Sequence, residues 1–264
     1  MRQPLALAAA ALVFAAPAVA QQPAPSGALR AAIDAPTRTP ANKARDVYRH
    51  PGETLAFFGV EPDDVVVEAL PGGGGWYTEI LAPYLKDKGT LYVAQGAGNA
   101  RDTLKAKLDA DAATYGKVQW SDFPLTGVPD GSADVVLTFR NVHNLIMNED
   151  TTTPDRAFAS FYKALKPGGV LGVVDHRLPE TADSARQKTS GYLKRSTVVA
   201  LAEKAGFKLA GESEINSNPK DTADWEKGVW TLPPTYRNGD VDRAKYQAIG
   251  ESDRMTLKFV KPAS

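Results

Sequence analysis

Cysteine is missing from all 264 residues. Its absence removes disulfides, thiolate nucleophiles, Cys-ligated zinc and iron–sulfur clusters, and any cysteine-linked lipid anchor. Neither sign of charge is in excess, because 31 Lys and Arg balance 31 Asp and Glu. With no basic surplus to neutralise phosphates, the composition argues against nucleic acid as the main partner. Beyond the first 20 residues no apolar run is long enough to span a bilayer. What is present, 22 Gly, 19 Pro and 43% hydrophobic positions, suits one large α/β domain or two small ones.

Residues 1–20 read as a secretory signal peptide. Arg2 precedes an apolar run from Leu5 to Ala16, and Pro17-Ala18-Val19-Ala20 offers a cleavage site before Gln21. At about a dozen residues the run falls short of the ~20 that a membrane helix needs. The expected cut follows Ala20, leaving a mature chain that is periplasmic or secreted, with no stable membrane insertion. Residues 21–40 are rich in Pro, Ala and Thr and read as a flexible linker. Residues 41–60 read as a helical cap of two short helices split at Pro51, anchored by Tyr48, Leu55, Phe57 and Phe58. The cap opens a domain over 41–264.

After the cap, strand-like and helix-like runs alternate. Strands are expected at 64–69, 90–94, 117–120, 133–139, 169–175 and 207–214, with helices near 76–85, 100–113, 154–165 and 196–205. Such alternation predicts a doubly wound, mostly parallel α/β sheet. Lys166-Pro167-Gly168-Gly169 supplies helix-stop chemistry before the fifth strand. Met255, Leu257 and Phe259 alternate with Thr256, Lys258 and Val260, predicting a half-buried last strand that closes the sheet with an antiparallel edge if it pairs with 207–214. The long aperiodic insertion 215–252 is either a functional lid or a surface excursion pinned by Trp225 and Trp230.

The sharpest local signal is Val65-Val66-Val67-Glu68-Ala69-Leu70-Pro71-Gly72-Gly73-Gly74-Gly75-Trp76-Tyr77. A buried strand runs into four glycines and a helix start, where backbone can approach a ligand and free N–H groups face it. A dinucleotide loop wants Gly-x-Gly-x-x-Gly, and Tyr77 stands where the third glycine belongs, so a nicotinamide-linked oxidoreductase requires a displaced spacing.

The segment resembles instead the class I S-adenosylmethionine-dependent methyltransferases, whose motif is an acidic residue followed by Gly-x-Gly-x-Gly. Here Glu68 begins it and Leu70 replaces the first glycine. Two further stretches are similar to that family: Asp130-Gly131-Ser132-Ala133-Asp134 before its fourth strand and Leu165-Lys166-Pro167-Gly168-Gly169 before its fifth. Leu-Pro-Gly-Gly-Gly together with Arg140-Asn141-Val142-His143 resembles an exported, predicted branch of these enzymes. The resemblance covers about 60–214 and implies a seven-stranded Rossmann-like methyltransferase sheet with an antiparallel last strand. It also implies S-adenosyl-L-methionine as cofactor, held by Glu68, Pro71, Gly72, Gly73, Gly74, Gln95, Asp122, Phe139 and Asn141. Gln95 stands where the family carries a carboxylate for the ribose hydroxyls, and an amide is the weaker acceptor.

Ligands of open α/β sheets bind beyond the carboxyl ends of the strands. Those ends carry Gln95, Asp122, Phe139-Arg140-Asn141-Val142-His143-Asn144 and Asp175-His176-Arg177. His143 is the candidate general base, with a structural histidine as the alternative reading. Arg140 and Arg177 either hold an anionic substrate or pair with nearby acids. No ligand spacing for a metal is evident. The expected function is methyl transfer from S-adenosylmethionine to a small molecule. The alternative is an exported binding protein that keeps the fold without the chemistry. Export favours the alternative, because the charged cofactor is made in the cytoplasm and does not cross a bilayer unaided. Met147 and Met255 both lie beyond the glycine loop, so a cytoplasmic form would need a non-methionine start.

Overall fold

The computed structural model describes residues 24–263. The expected signal peptide, its cleavage site and the first three linker residues lie outside them. No helix among the described residues is long and apolar enough to cross a membrane.

The expected alternation is present. Strands β1 (Val65–Ala69), β2 (Thr90–Ala94), β3 (Gln119–Ser121), β4 (Ala133–Phe139), β5 (Leu165–Leu178), β6 (Leu193–Lys194), β7 (Lys208–Ser213) and β8 (Arg254–Val260) are connected mainly through helices. The order is β3-β2-β1-β4-β5-β8-β7, with the two-residue β6 beside the end of β5. Strands β1 to β5 pair in parallel, and β8 is antiparallel to both β5 and β7. The antiparallel strand is therefore interior and β7 takes the edge. Its burial follows: Met255, Thr256 and Leu257 are all buried, where a half-buried strand was expected. The helix-stop residues 166–169 become part of a bulged start to β5, whose register against β4 shifts between Ala133 and Val135. Pro167 offers no ladder N–H and Gly168 turns with φ +82°.

Period-two alternation sends β-strand side chains to two apolar layers. On one face Val67, Val136, Leu171 and Leu257 pack with α8 (Val142–Met147), α9 (Thr153–Ala164) and α10 (Arg195–Lys204) through Leu145, Phe158, Phe161 and Val198. On the other, Val66, Val93, Val135 and Leu137 meet Leu55, Phe58, Ile80, Leu81 and Leu104. These come from α4 (Pro51–Phe58), α5 (Thr78–Leu85) and α6 (Asn99–Asp109), and the short α7 (Ala112–Tyr115) adds Tyr115 to the same layer. Two-sided coverage of a parallel sheet explains its nearly continuous apolar strands.

The chain before β1 corrects two expectations. Instead of a flexible linker, Gly27–Asp34 forms helix α1, capped by Ser26, with Leu29 and Ala32 buried in the second layer. Arg38 then makes a two-point ion pair with Asp46 at 2.7 and 2.8 Å. The cap holds α2 (Pro40–Lys43) and α3 (Asp46–Arg49) before α4, separated by His50 in the left-handed region. Leu55 and Phe58 are buried as expected, whereas Tyr48 is 39% exposed, lying against Gly250 at the surface.

Candidate active site

The glycine loop leaves β1 through a strained residue. Leu70, standing where the related motif has glycine, takes φ +58°, and its N–H is bonded to the Ala94 carbonyl at 2.8 Å. Side chains in that region clash with their own backbone at a cost of about 1–2 kcal/mol. The four glycines divide by task. A Cβ on Gly73 would meet Thr103 at 3.0 Å and one on Gly75 would meet Leu104 at 2.7 Å, so these two let α6 approach. A Cβ on Gly72 or Gly74 would project into open space. That gap lets a ligand reach loop backbone, and the residues fit the cofactor that the motif implies.

The predicted cofactor residues gather only in part. Gly72 N–H donates to Gln95 Oε1 at 3.0 Å. Arg101, which sequence reading missed, donates to the Gln95 carbonyl at 2.9 Å and pairs with Asp122. Gly72, Gln95 and Asp122 therefore share one end of the sheet, with Pro71 half-buried between β1 and the glycines. Glu68 is elsewhere: it is buried beneath the loop and accepts from Thr78 Oγ1 at 2.6 Å. Burial pushes its carboxyl up to about 7, against the lowering effect of Thr78. Phe139 is also turned inward, its ring stacked on Tyr77 with centroids 3.6 Å apart. Both are expected cofactor residues, and both are buried, with strand positions that face the layer of α4 and α5. Asn141 donates through Nδ2 to the carbonyls of Leu70 at 3.0 Å and Phe139 at 3.1 Å, tying the loop to the end of β4.

A second group forms where β4 and β5 end. His143 lies in the first turn of α8, just after β4, and Asp175 lies on the neighbouring parallel strand β5, where it is fully buried. Asp175 Oδ1 meets His143 Nδ1 at 2.7 Å and the His176 N–H at 2.8 Å, while Oδ2 accepts the His143 N–H at 3.2 Å. This fixes the imidazole and leaves Nε2 for a ligand. His176 lies beside it, ring centroids 5.0 Å apart and planes tilted by 55°, and hydrogen-bonds Ser252 through Nδ1. Burial drives the His176 pKa well below its usual value, and His143 and the arginines nearby push the same way.

These rings line a cavity of about 290 Å³. The cap supplies Arg45 and Arg49, the end of β4 supplies Arg140, and β8 supplies Arg254. Asn144, the acid Glu251, and Val229, Trp230, Pro233, Pro234 and Thr235 complete the wall. The insertion 215–252 is thus ordered and also covers the site. Asp221 pins it by accepting from Tyr192 Oη at 2.9 Å, Trp225 Nε1 at 2.8 Å and Asp253 N–H at 2.8 Å. Trp76, next to the glycines, positions the cap: its Nε1 donates to the Asn42 carbonyl at 3.0 Å, and Arg49 lies 4.6 Å above its ring.

His143, Asp175 and His176 offer ligand atoms within 4.8 Å of one another. Asp175 has both oxygens engaged, however, and the surrounding guanidinium groups repel a cation. The cavity suits an anion better.

The comparisons with known proteins agree with this architecture. Residues 70–173 match the model of a family described as a methyltransferase domain. No curated protein sequence matches the chain. Among solved structures, a SAM-dependent methyltransferase from Aquifex aeolicus superposes with a TM-score of 0.56 at 14% identity, covering 83% of this chain and 93% of that one. An arsenic(III) S-adenosylmethionine methyltransferase from Chlamydomonas reinhardtii gives 0.50 at 17% identity, covering 90% and 74%. The cyclase SpnF gives 0.56 at 14% identity, covering 82% and 81%. The fold is that of the class I S-adenosylmethionine-dependent methyltransferases.

Proposed function

We propose that this chain, with its methyltransferase domain in the class I fold, transfers a methyl group from S-adenosylmethionine to a small molecule held against His143. The observation that carries the reading is the pairing of two neighbouring features: a glycine loop with open space over Gly72 and Gly74, and a histidine anchored by a buried carboxylate. When bound, the cofactor supplies an electrophilic methyl on a sulfonium, whose leaving group is a neutral thioether. The residues of this chain then have limited work to do. Gly72, Gly74, Gln95 and Asp122 hold and orient, and alignment alone supplies much of the barrier reduction. His143 Nε2 accepts the proton of the attacking group, and Asp175 stabilises the imidazolium that forms. Residues 1–20 support a mature protein in the periplasm or outside the cell.

The test is calorimetric titration of the chain from Gln21 onward with S-adenosylmethionine and S-adenosylhomocysteine. Micromolar binding that disappears in Gly72→Val is expected, and absence of binding to either compound overturns the reading. An exported binding protein without methyl transfer is the second reading. One observation favours it: Gln95 Oε1, at the ribose position of the family, already accepts from Gly72.

A further inference from the structure

The cavity beside His143 carries far more positive charge than its internal partners absorb. Arg45 reaches Glu251 at 2.5 Å, Arg49 reaches the same carboxylate at 3.3 Å, and Arg254 pairs with it as well. Burial works to raise Glu251, but Arg254, Arg49, Arg45 and Arg140 outweigh it and hold the carboxyl at about 2. Three guanidinium groups therefore share one carboxylate. Arg140, half-buried, lines the same cavity and stands outside the Glu251 ion pairs. Asp175, the other acid nearby, is engaged by His143 and His176.

Two buried donors remain unsatisfied. Arg49, only 3% exposed, has Nη1 without a partner, and Arg254, 2% exposed, has Nε without one. A buried donor on a charged group is costly to leave unpaired, so a ligand that accepts from it is favoured. Arg140 is moreover held at φ +61°, a strained backbone for a non-glycine residue, with its N–H on the Val174 carbonyl at 2.7 Å. Strain of this kind persists where the surroundings hold a side chain in a working position. Burial lowers Arg140 to about 10, which leaves it charged at neutral pH. Arg177, one residue beyond His176, is the internal contrast. It is saturated by Glu214 at 2.8 and 2.7 Å and by Asp253 at 2.7 and 3.0 Å.

We propose that this cavity binds the acceptor through an anionic oxygen group, a carboxylate or a phosphate, with Arg49 and Arg140 as its ligands. The acceptor is then a small organic acid whose nucleophilic O–H or N–H faces His143 Nε2. The planar fork of an arginine meets two oxygens of either group at once. A cavity of about 290 Å³ admits a compact acid and no polymer. Its fate as a methyl acceptor rests on the methyltransferase reading, whereas its binding does not.

The experiment is calorimetry on the chain from Gln21 onward without cofactor, using inorganic phosphate, malonate and the uncharged malonamide. Wild type is expected to bind phosphate or malonate and to ignore malonamide, and the anion bound identifies the group recognised. Arg140→Gln is expected to weaken binding at least tenfold. Asn144→Asp, at an exposed position on the cavity rim, adds a negative charge without disturbing the core and is expected to weaken it severalfold, so an unfolded Arg140→Gln leaves the test intact. Binding of neither anion, or equal binding by wild type and both variants, overturns the proposal. A parallel titration with S-adenosylhomocysteine separates the two ideas. Cofactor binding without anion binding sinks the anion site alone, and anion binding without cofactor binding sinks the methyltransferase reading alone.

Discussion

Asp175 grips His143 twice, through the ring nitrogen Nδ1 at 2.7 Å and through the backbone N–H at 3.2 Å. The carboxylate sets the tautomer and the aim of the ring together. General-base assistance contributes about 10²–10⁴ in rate. His143→Ala is therefore expected to depress kcat by that order while S-adenosylhomocysteine affinity stays within about twofold. Asp175→Asn should reproduce much of the loss and switch the tautomer, read as a change in the imidazole nitrogen NMR shifts of His143. Equal losses in turnover and cofactor affinity would count against the base.

Glu68 gives the stability a pH dependence of definite sign. Its carboxyl is raised from 4.5 to about 7 in the folded chain, so the native state holds its proton where the unfolded state has released it. Stability falls as pH rises from about 4.5 to about 7 and is flat in this contribution beyond, by about 3 kcal/mol in total. Glu68→Gln keeps an acceptor for Thr78 and removes the effect. Urea unfolding at pH 5 and pH 8 should show a smaller difference for the variant, with the variant the more stable at pH 8.

His176 acts in the opposite direction. Its pKa is depressed by burial, so the unfolded state takes up a proton below about 6.5 that the native state refuses. Stability falls as pH drops below that value. His176→Asn should flatten this acid limb in the same unfolding series, and an unchanged limb would assign it to other groups.

Leu29 tests whether the segment before the cap belongs to the folded core. It is 1% exposed, on the inward face of α1. Leu29→Ala is expected to cost about 2–4 kcal/mol in denaturant unfolding, whereas a loose linker would show no change.

Leu70 makes a backbone prediction free of side-chain size. At φ +58° any Cβ is strained, so Leu70→Gly should be more stable than Leu70→Ala by about 1 kcal/mol. At ordinary dihedrals the order is reversed.

The sheet and its glycine loop were legible because their signals are local. Val65-Val66-Val67 is apolar on consecutive positions, as a strand covered on both faces must be, and the glycines follow directly. His143 was legible because strand ends are where ligands bind. The arginine cavity was not, since Arg45 and Glu251 meet across a separation of 206 residues that no periodicity encodes. Nor could sequence separate Arg140 from Arg177: both sit at the carboxyl end of a strand, and only the positions of Glu214 and Asp253 decide which is neutralised. Helix α1 was hidden by its composition. Ser26 as a cap, followed by Leu29 and Ile33 four residues apart, was the available signal.

The place of β8 between β5 and β7 joins the end of the chain to its cap. Arg254 opens that strand and Glu251 lies just before it, while Arg45 and Arg49 stand more than 200 residues earlier. The glycine loop is held by β1, β2 and α6, which need no contact with β8. Without Glu251 the cap arginines have no common carboxylate and repel one another. The charge arrangement of the pocket is thus a long-range property of the fold, set by β8 meeting the cap and not by the glycine loop beside it.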